Sequence, residues 1–277
     1  MAPPSRDLRG SDRPMPRFAA NLSLLFTEHP FLDRFAAASR AGFEAVEMLF
    51  PYAHPPEAVA GALRDAGLAL ALFNMPPGDF EAGERGLAAL PQRFGELAAG
   101  VETALAYAQA TGCRAIHMMA GLAGRSDATA ASAYRRSLRH ACERLDAHGI
   151  TLTVEPINRR SMPGYFLDDL DAAANLVAEL RGEGHGNLAL QFDLFHAQIL
   201  HGDLSARLER DLPLIGHVQV AAVPDRHEPG TGELDERHLF ALLDRLGYGG
   251  FVGCEYHPRA GTEAGLSWFE PYRRRPA

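Results

Sequence analysis

Cysteine is scarce: Cys113, Cys142 and Cys254 are the only three in 277 residues, and no two stand in a CxxC spacing. An odd, scattered set argues against a disulfide scaffold or a thiolate metal site and fits a reducing compartment, so a cytoplasmic location is expected. Positive charge is also in short supply. Lys and Arg number 27 against 35 Asp and Glu, a net charge of −8, which argues against a nucleic-acid partner gripped through clustered phosphate contacts. A small anionic substrate needs only one or two arginines in a cleft and remains open. No apolar run approaches the ~20 residues of a membrane helix, so no membrane partner is expected. The opening MAPPSRDLRGSDRPMP lacks the apolar stretch of a secretory signal. Residues 1–16 are therefore expected to form a disordered leader, with Met15 a second candidate initiator. Residues 271–277, with Arg273, Arg274 and Arg275, read as a solvated tail.

What the chain does have is an alternation without a break in composition. Short, mostly apolar strand candidates cover 18–26, 43–50, 68–75, 114–121, 150–158, 187–196, 215–223 and 250–258. Each is followed by an amphipathic stretch, at 31–40, 57–67, 94–110, 127–148, 167–180, 204–212, 236–246 and 263–269. Glycines stand where left-handed C-caps are wanted, as at Gly67 and Gly112. Apolar strands suit a sheet covered on both sides. Eight βα units in ~250 residues predict one (β/α)₈ barrel, spanning 17–270. A doubly wound sheet is the rival, but the GxGxxG expected after its first strand is missing, and the chain there reads ANLSLLFTEH.

A barrel of this kind keeps its chemistry at the C-terminal ends of its strands. Four successive strands carry a polar residue there: Glu155 in VEPIN, Asp193 in QFDLFH, Gln219 in HVQVA and Glu255 in GCEYHP. Each sits among apolar neighbours, where an unpaired charge is costly. Three carboxylates converging on one mouth repel unless a cation lies between them. Three carboxylates and an amide oxygen make a hard site suited to Mg²⁺ or Mn²⁺. The alternative is that each acid is separately paired with a nearby Arg or Lys.

Around this set, Asn158 can turn an amide into the site, and His196, three residues past Asp193, can reach a substrate oxygen. Arg226, in the loop PDRHEPGTGE, is the candidate partner for a substrate carboxylate. Glu47 and His117, in the second and fourth strands, could also line the pocket, but each reads first as a satisfied core polar group. The loop PPGDFEAGERG is long for a βα connection and is either a lid or a structural loop.

The segments FAANLSLLFTE, GFEAVEMLFPY, FNMPPGDFEAGERG, VEPIN, QFDLFH, GHVQVA, RHEPGTGE and GCEYHPRAGTEAGL together resemble the hydroxypyruvate isomerase family of xylose-isomerase-like TIM barrels. The resemblance runs from about Arg17 to Phe269. It implies Glu155, Asp193, Gln219 and Glu255 as metal ligands, and Glu155 and Glu255 as the catalytic acid–base pair. Ala222 stands where hydroxypyruvate isomerases proper have Asp, and FNMPPGD, MPGYF and AAVPDRHEP look more like the 2-oxo-tetronate isomerase branch, whereas GTGE keeps the hydroxypyruvate-like form. The resemblance thus implies a metal-dependent isomerase of a small hydroxy-oxo acid, with no organic cofactor: hydroxypyruvate to tartronate semialdehyde, or 2-oxo- to 3-oxo-tetronate. A ketose 3-epimerase on the same barrel and a non-catalytic sugar-acid-binding barrel are the alternatives, and a homo-oligomer stays open.

Overall fold

In the computed structural model, residues 16–273 are described; of the leader expected at 1–16 all but the last residue, and of the tail expected at 271–277 the part from 274 onward, lie outside them. Eight parallel strands close into a barrel in chain order. They are β1 (Arg17–Asn21), β2 (Ala45–Met48), β3 (Ala69–Asn74), β4 (Ala115–His117), β5 (Thr151–Val154), β6 (Leu188–Asp193), β7 (Ile215–Val220) and β8 (Phe251–Cys254). Closure runs through β1 and β8, with Arg17 opposite Phe251 and Ala20 opposite Cys254. The expected (β/α)₈ barrel is thus the observed one, and each expected strand holds an observed one.

The outer ring consists of α1 (Asp33–Arg40), α2 (Pro56–Ala66), α3 (Phe94–Thr111), α4 (Ala128–Asp146), α5 (Leu170–Gly182), α6 (Leu194–Leu200), α7 (Leu204–Asp211) and α8 (Glu236–Arg245). Side chains of Asp127, Asp169, Asp193 and Asp235 cap α4, α5, α6 and α8 by accepting bonds from free N–H groups of the first turn. Gly67 and Gly112 end α2 and α3 in the left-handed conformation that a Cβ would disfavour.

Two features depart from the expected elements. Helix α6 begins inside the apolar run LALQFDLFH, which reads as one strand, and continues to Leu200; a buried helix turn and a buried strand share the same pattern at that length. The final element, Glu263–Tyr272, is a 3₁₀ helix. Its Trp268, Phe269 and Tyr272 rings pack edge-on around Phe18 of β1, 5.0–5.9 Å between centroids. The long loop at 76–86 is fastened at its far end, where Gly86 bridges Ala120, and Glu84 pairs with Arg93.

Register shifts at two places re-aim side chains. Leu190 faces Ile215 and Gln191 faces His217, so Gly216 is the extra residue of β7. A Cβ on Gly216 would lie 2.6 Å from that of Ala189. A similar shift leaves Ala71 extra in β3, opposite Val46 and Glu47.

Candidate active site

The mouth is built from the ends of β4 to β8. Glu155 and Glu255 follow the last residues of β5 and β8, and Asp193 ends β6 level with Gln219 of β7. All four are buried, Glu255 the least so at 7% exposure. Because Asp193 is both strand end and cap, its Oδ1 accepts the Phe195 N–H at 2.9 Å and its Oδ2 is left for the site. One helical turn on, His196 falls on the same face, its Nε2 3.6 Å from Asp193 Oδ2 and 4.0 Å from Glu155 Oε1.

Hydrogen-bond chemistry fixes the tautomer of His196. The Asn158 backbone N–H points to Nδ1 at 3.4 Å and the Asn158 amide nitrogen lies 2.6 Å from it, while Asn158 Oδ1 accepts the Ser161 N–H. Nδ1 is therefore an acceptor, and the proton sits on Nε2, facing the carboxylates. Asn158, expected to contact substrate, is fully buried, with its amide nitrogen against His196 Nδ1.

Arg226, in the left-handed region at φ 56°, crosses the mouth. Its Nη2 donates to Glu255 Oε2 at 2.6 Å and to Asp193 Oδ2 at 3.3 Å, its Nε donates to the Glu255 carbonyl, and its guanidinium lies 4.9 Å from the Phe195 ring centre. Nη1 has no hydrogen-bond partner among the described residues. The expected partner of a substrate carboxylate is thus anchored on two of the acids through one nitrogen, with the other free.

Gln219 belongs to a chain of buried bonds that crosses the barrel beneath the mouth. Thr153 donates to Gln191 Oε1, Gln191 Nε2 to Gln219 Oε1 at 2.7 Å, and Gln219 Nε2 to Glu47 Oε1 at 2.8 Å. Asn21 donates to the same Glu47 oxygen, and His217 Nε2 pairs with the other at 2.6 Å. Because Glu47 accepts and does not donate, Gln219 can point only its amide oxygen away from it, and that oxygen keeps one lone pair for a ligand. Glu47 is the satisfied core group expected from the sequence. His117 is not: neither of its ring nitrogens has a partner among the described residues, and its Nε2 lies 4.0 Å from Glu155 Oε2.

The electrostatics follow from this crowding. Burial first, then repulsion from Glu255 and Asp193, holds the Glu155 carboxyl well above the usual carboxylate range. Burial pushes Glu255 up from 4.5 to about 8 against the opposing pull of Arg226. Asp193 is raised by burial, with Arg226 and the Phe195 N–H working the other way. Burial and the Arg226 charge drive His196 well down, so it meets the acids as a neutral ring rather than as an ion-pair partner. Arg226 is lowered by burial but raised on balance by the acids.

Ligand atoms of Glu155, Asp193 and His196 lie within 4.8 Å of one another. Glu155 Oε1 is buried without a partner among the described residues. Orphaned carboxylate oxygen, raised acids and oxygen donors from adjacent strands are what a hard divalent cation would satisfy, so the residues fit such an ion. Glu255 is not one of these three and meets Asp193 only through their shared Arg226, while Gln219 sits at the register position beside Asp193.

The xylose isomerase-like TIM barrel family model matches residues 35–272. A 2-oxo-tetronate isomerase of Cupriavidus necator is 51% identical over 93% of this chain and 99% of its own. A hydroxypyruvate isomerase of Escherichia coli is 41% identical over 94% and 100%. A crystal structure described as AP endonuclease, family 2, from Brucella melitensis superposes with a TM-score of 0.90 at 48% identity, covering 94% of this chain and all of that one. The chain belongs to the xylose isomerase-like TIM barrel family, on its hydroxypyruvate isomerase branch, and is an isomerase of the intramolecular oxidoreductase type.

Proposed function

We propose that this enzyme interconverts a 2-oxo acid bearing a neighbouring hydroxyl with its carbonyl-shifted isomer, hydroxypyruvate with tartronate semialdehyde or 2-oxo- with 3-oxo-tetronate. The observation that carries the reading is the convergence of three buried carboxylates on one mouth, with an orphaned oxygen on Glu155 and one arginine bridging the other two. Glu155, Asp193, Gln219 and Glu255 would hold one Mg²⁺ or Mn²⁺. When bound, such an ion polarises the carbonyl and adjacent hydroxyl oxygens, acidifying the C–H between them. Glu155 and Glu255, both raised above the usual carboxylate range by burial, manage the carbon-bound proton from the two sides of the substrate. The Nε2–H of His196 donates to a substrate oxygen. Arg226 offers Nη1 to the substrate carboxylate. No nicotinamide or flavin is required, because the electrons move within the substrate.

The name of the Brucella structure raises DNA cleavage. Three acids and one engaged arginine make a mouth that repels a phosphodiester, and the net charge of −8 adds to that. Among the described residues no helix is long and apolar enough to cross a membrane, and the three free cysteines are buried. We place the enzyme in small-molecule metabolism of the cytoplasm.

The test is proton NMR in D₂O with Mg²⁺, offering hydroxypyruvate and 2-oxo-tetronate in parallel. Deuterium entry at the C–H beside the carbonyl, with appearance of the isomer, is expected for one of them. Absence of both from both substrates would overturn the reading.

A further inference from the structure

Carbonyl migration moves two hydrogens, one between adjacent carbons and one between their oxygens. Glu155 and Glu255 serve the carbons. The oxygens need a group that can donate at one and accept at the other, within reach of the same substrate edge.

His117 has that geometry. It is the last residue of β4, level with Asn74 and Thr153, and is 1% exposed. The other buried histidines that face the barrel's polar interior are engaged: His196 through Asn158 and His217 through Glu47. His117 has no partner at either nitrogen among the described residues, which leaves both desolvated for no structural return. The 4.0 Å between its Nε2 and Glu155 Oε2 is too long for a hydrogen bond, yet lets one substrate oxygen lie within bonding distance of both.

We infer that His117 is a catalytic residue that carries the hydroxyl proton between the two oxygens, an assignment that rests on the isomerase reading above. As a glutamate takes the carbon-bound proton, the C–H electron pair forms the C=C of an enediol and charge moves onto the former carbonyl oxygen. His117 gives its N–H proton to that oxygen and takes the proton of the neighbouring hydroxyl. The electrons of that hydroxyl oxygen then form the new C=O, and the former carbonyl carbon takes a proton from a glutamate. Protons and electrons balance within the substrate.

The experiment measures two rates on His117→Gln and His117→Asn with Mg²⁺ in D₂O: deuterium entry into recovered substrate, and isomer formation. Isomer formation should fall about 10²-fold while exchange falls less than about tenfold, with KM nearly unchanged. Exchange and isomerisation falling in step, or neither falling, would overturn the assignment. So would a tenfold loss of Mn²⁺ affinity by calorimetry, which would make His117 a cation ligand. Should neither variant fold, ¹⁵N-histidine-labelled wild type decides: the His117 ring signal must move on adding substrate, and a stationary signal overturns the role. Failure of the isomerase reading shows separately, as a wild type that neither exchanges nor converts either oxo acid.

Discussion

Glu155, Asp193 and Glu255 are each driven toward the protonated form by burial, and each is pulled back by something that welcomes charge. Replacing Glu155 or Glu255 by Gln keeps the shape and removes the proton carrier, so kcat should fall about 10²–10⁴-fold in each variant while circular dichroism stays native. Near-normal turnover in both would remove the acid–base pair. A pH effect follows with a definite sign. Glu255 is raised from 4.5 to about 8, so between those values the folded protein binds more protons than the unfolded chain, and stability declines as pH rises. Without a divalent cation, the wild-type melting temperature should therefore drop relative to that of Glu255→Gln between about pH 5 and 8; parallel curves would contradict the raised carboxyl. At this scale the sequence is partly readable. A polar residue at the end of an apolar strand is visible as an anomaly, which is how Glu155, Asp193, Gln219 and Glu255 stand out. Whether a buried polar group has a partner is decided by distant strands, so neither the idle nitrogens of His117 nor the engagement of Asn158 with His196 could be read.

Between elements, the polar chain under the mouth depends on space that side chains on neighbouring strands leave free. A Cβ on Gly253 of β8 would lie 2.0 Å from Glu47 Oε2, so that glycine is a notch for the carboxylate on which Gln219 leans. Gly253→Ala should destabilise by about 1–3 kcal/mol, as overpacking does, and weaken Mn²⁺ binding through the displaced Gln219. Combining it with Glu47→Ala should cost less than the sum of the two in denaturant melts; strict additivity would show that the two do not meet. The alternation of strands and helices was legible because each run is long enough to carry its period. Helix α6 was not, since Leu194 and Phe195 extend an apolar strand without changing its pattern. That short helix matters, because it turns Asp193 into a cap and brings His196 onto the site face.

At the scale of the whole molecule, barrel closure brings residues from 47 to 255 of the chain to one end. The net charge of −8 adds a long-range field that favours a divalent cation at the mouth and does not by itself attract an anionic substrate, so specific groups are needed to hold one, the role proposed above for Arg226. The fold follows from patterns repeated eight times; the choice between a three- and a four-carbon substrate does not, because no repeated pattern carries it. The most direct measurement is anomalous diffraction from a crystal soaked in Mn²⁺. The account predicts one strong peak with Glu155, Asp193, Gln219 and Glu255 oxygens around it at about 2.0–2.3 Å. No peak there in crystals of an active preparation, or a peak bound by other residues, would contradict it.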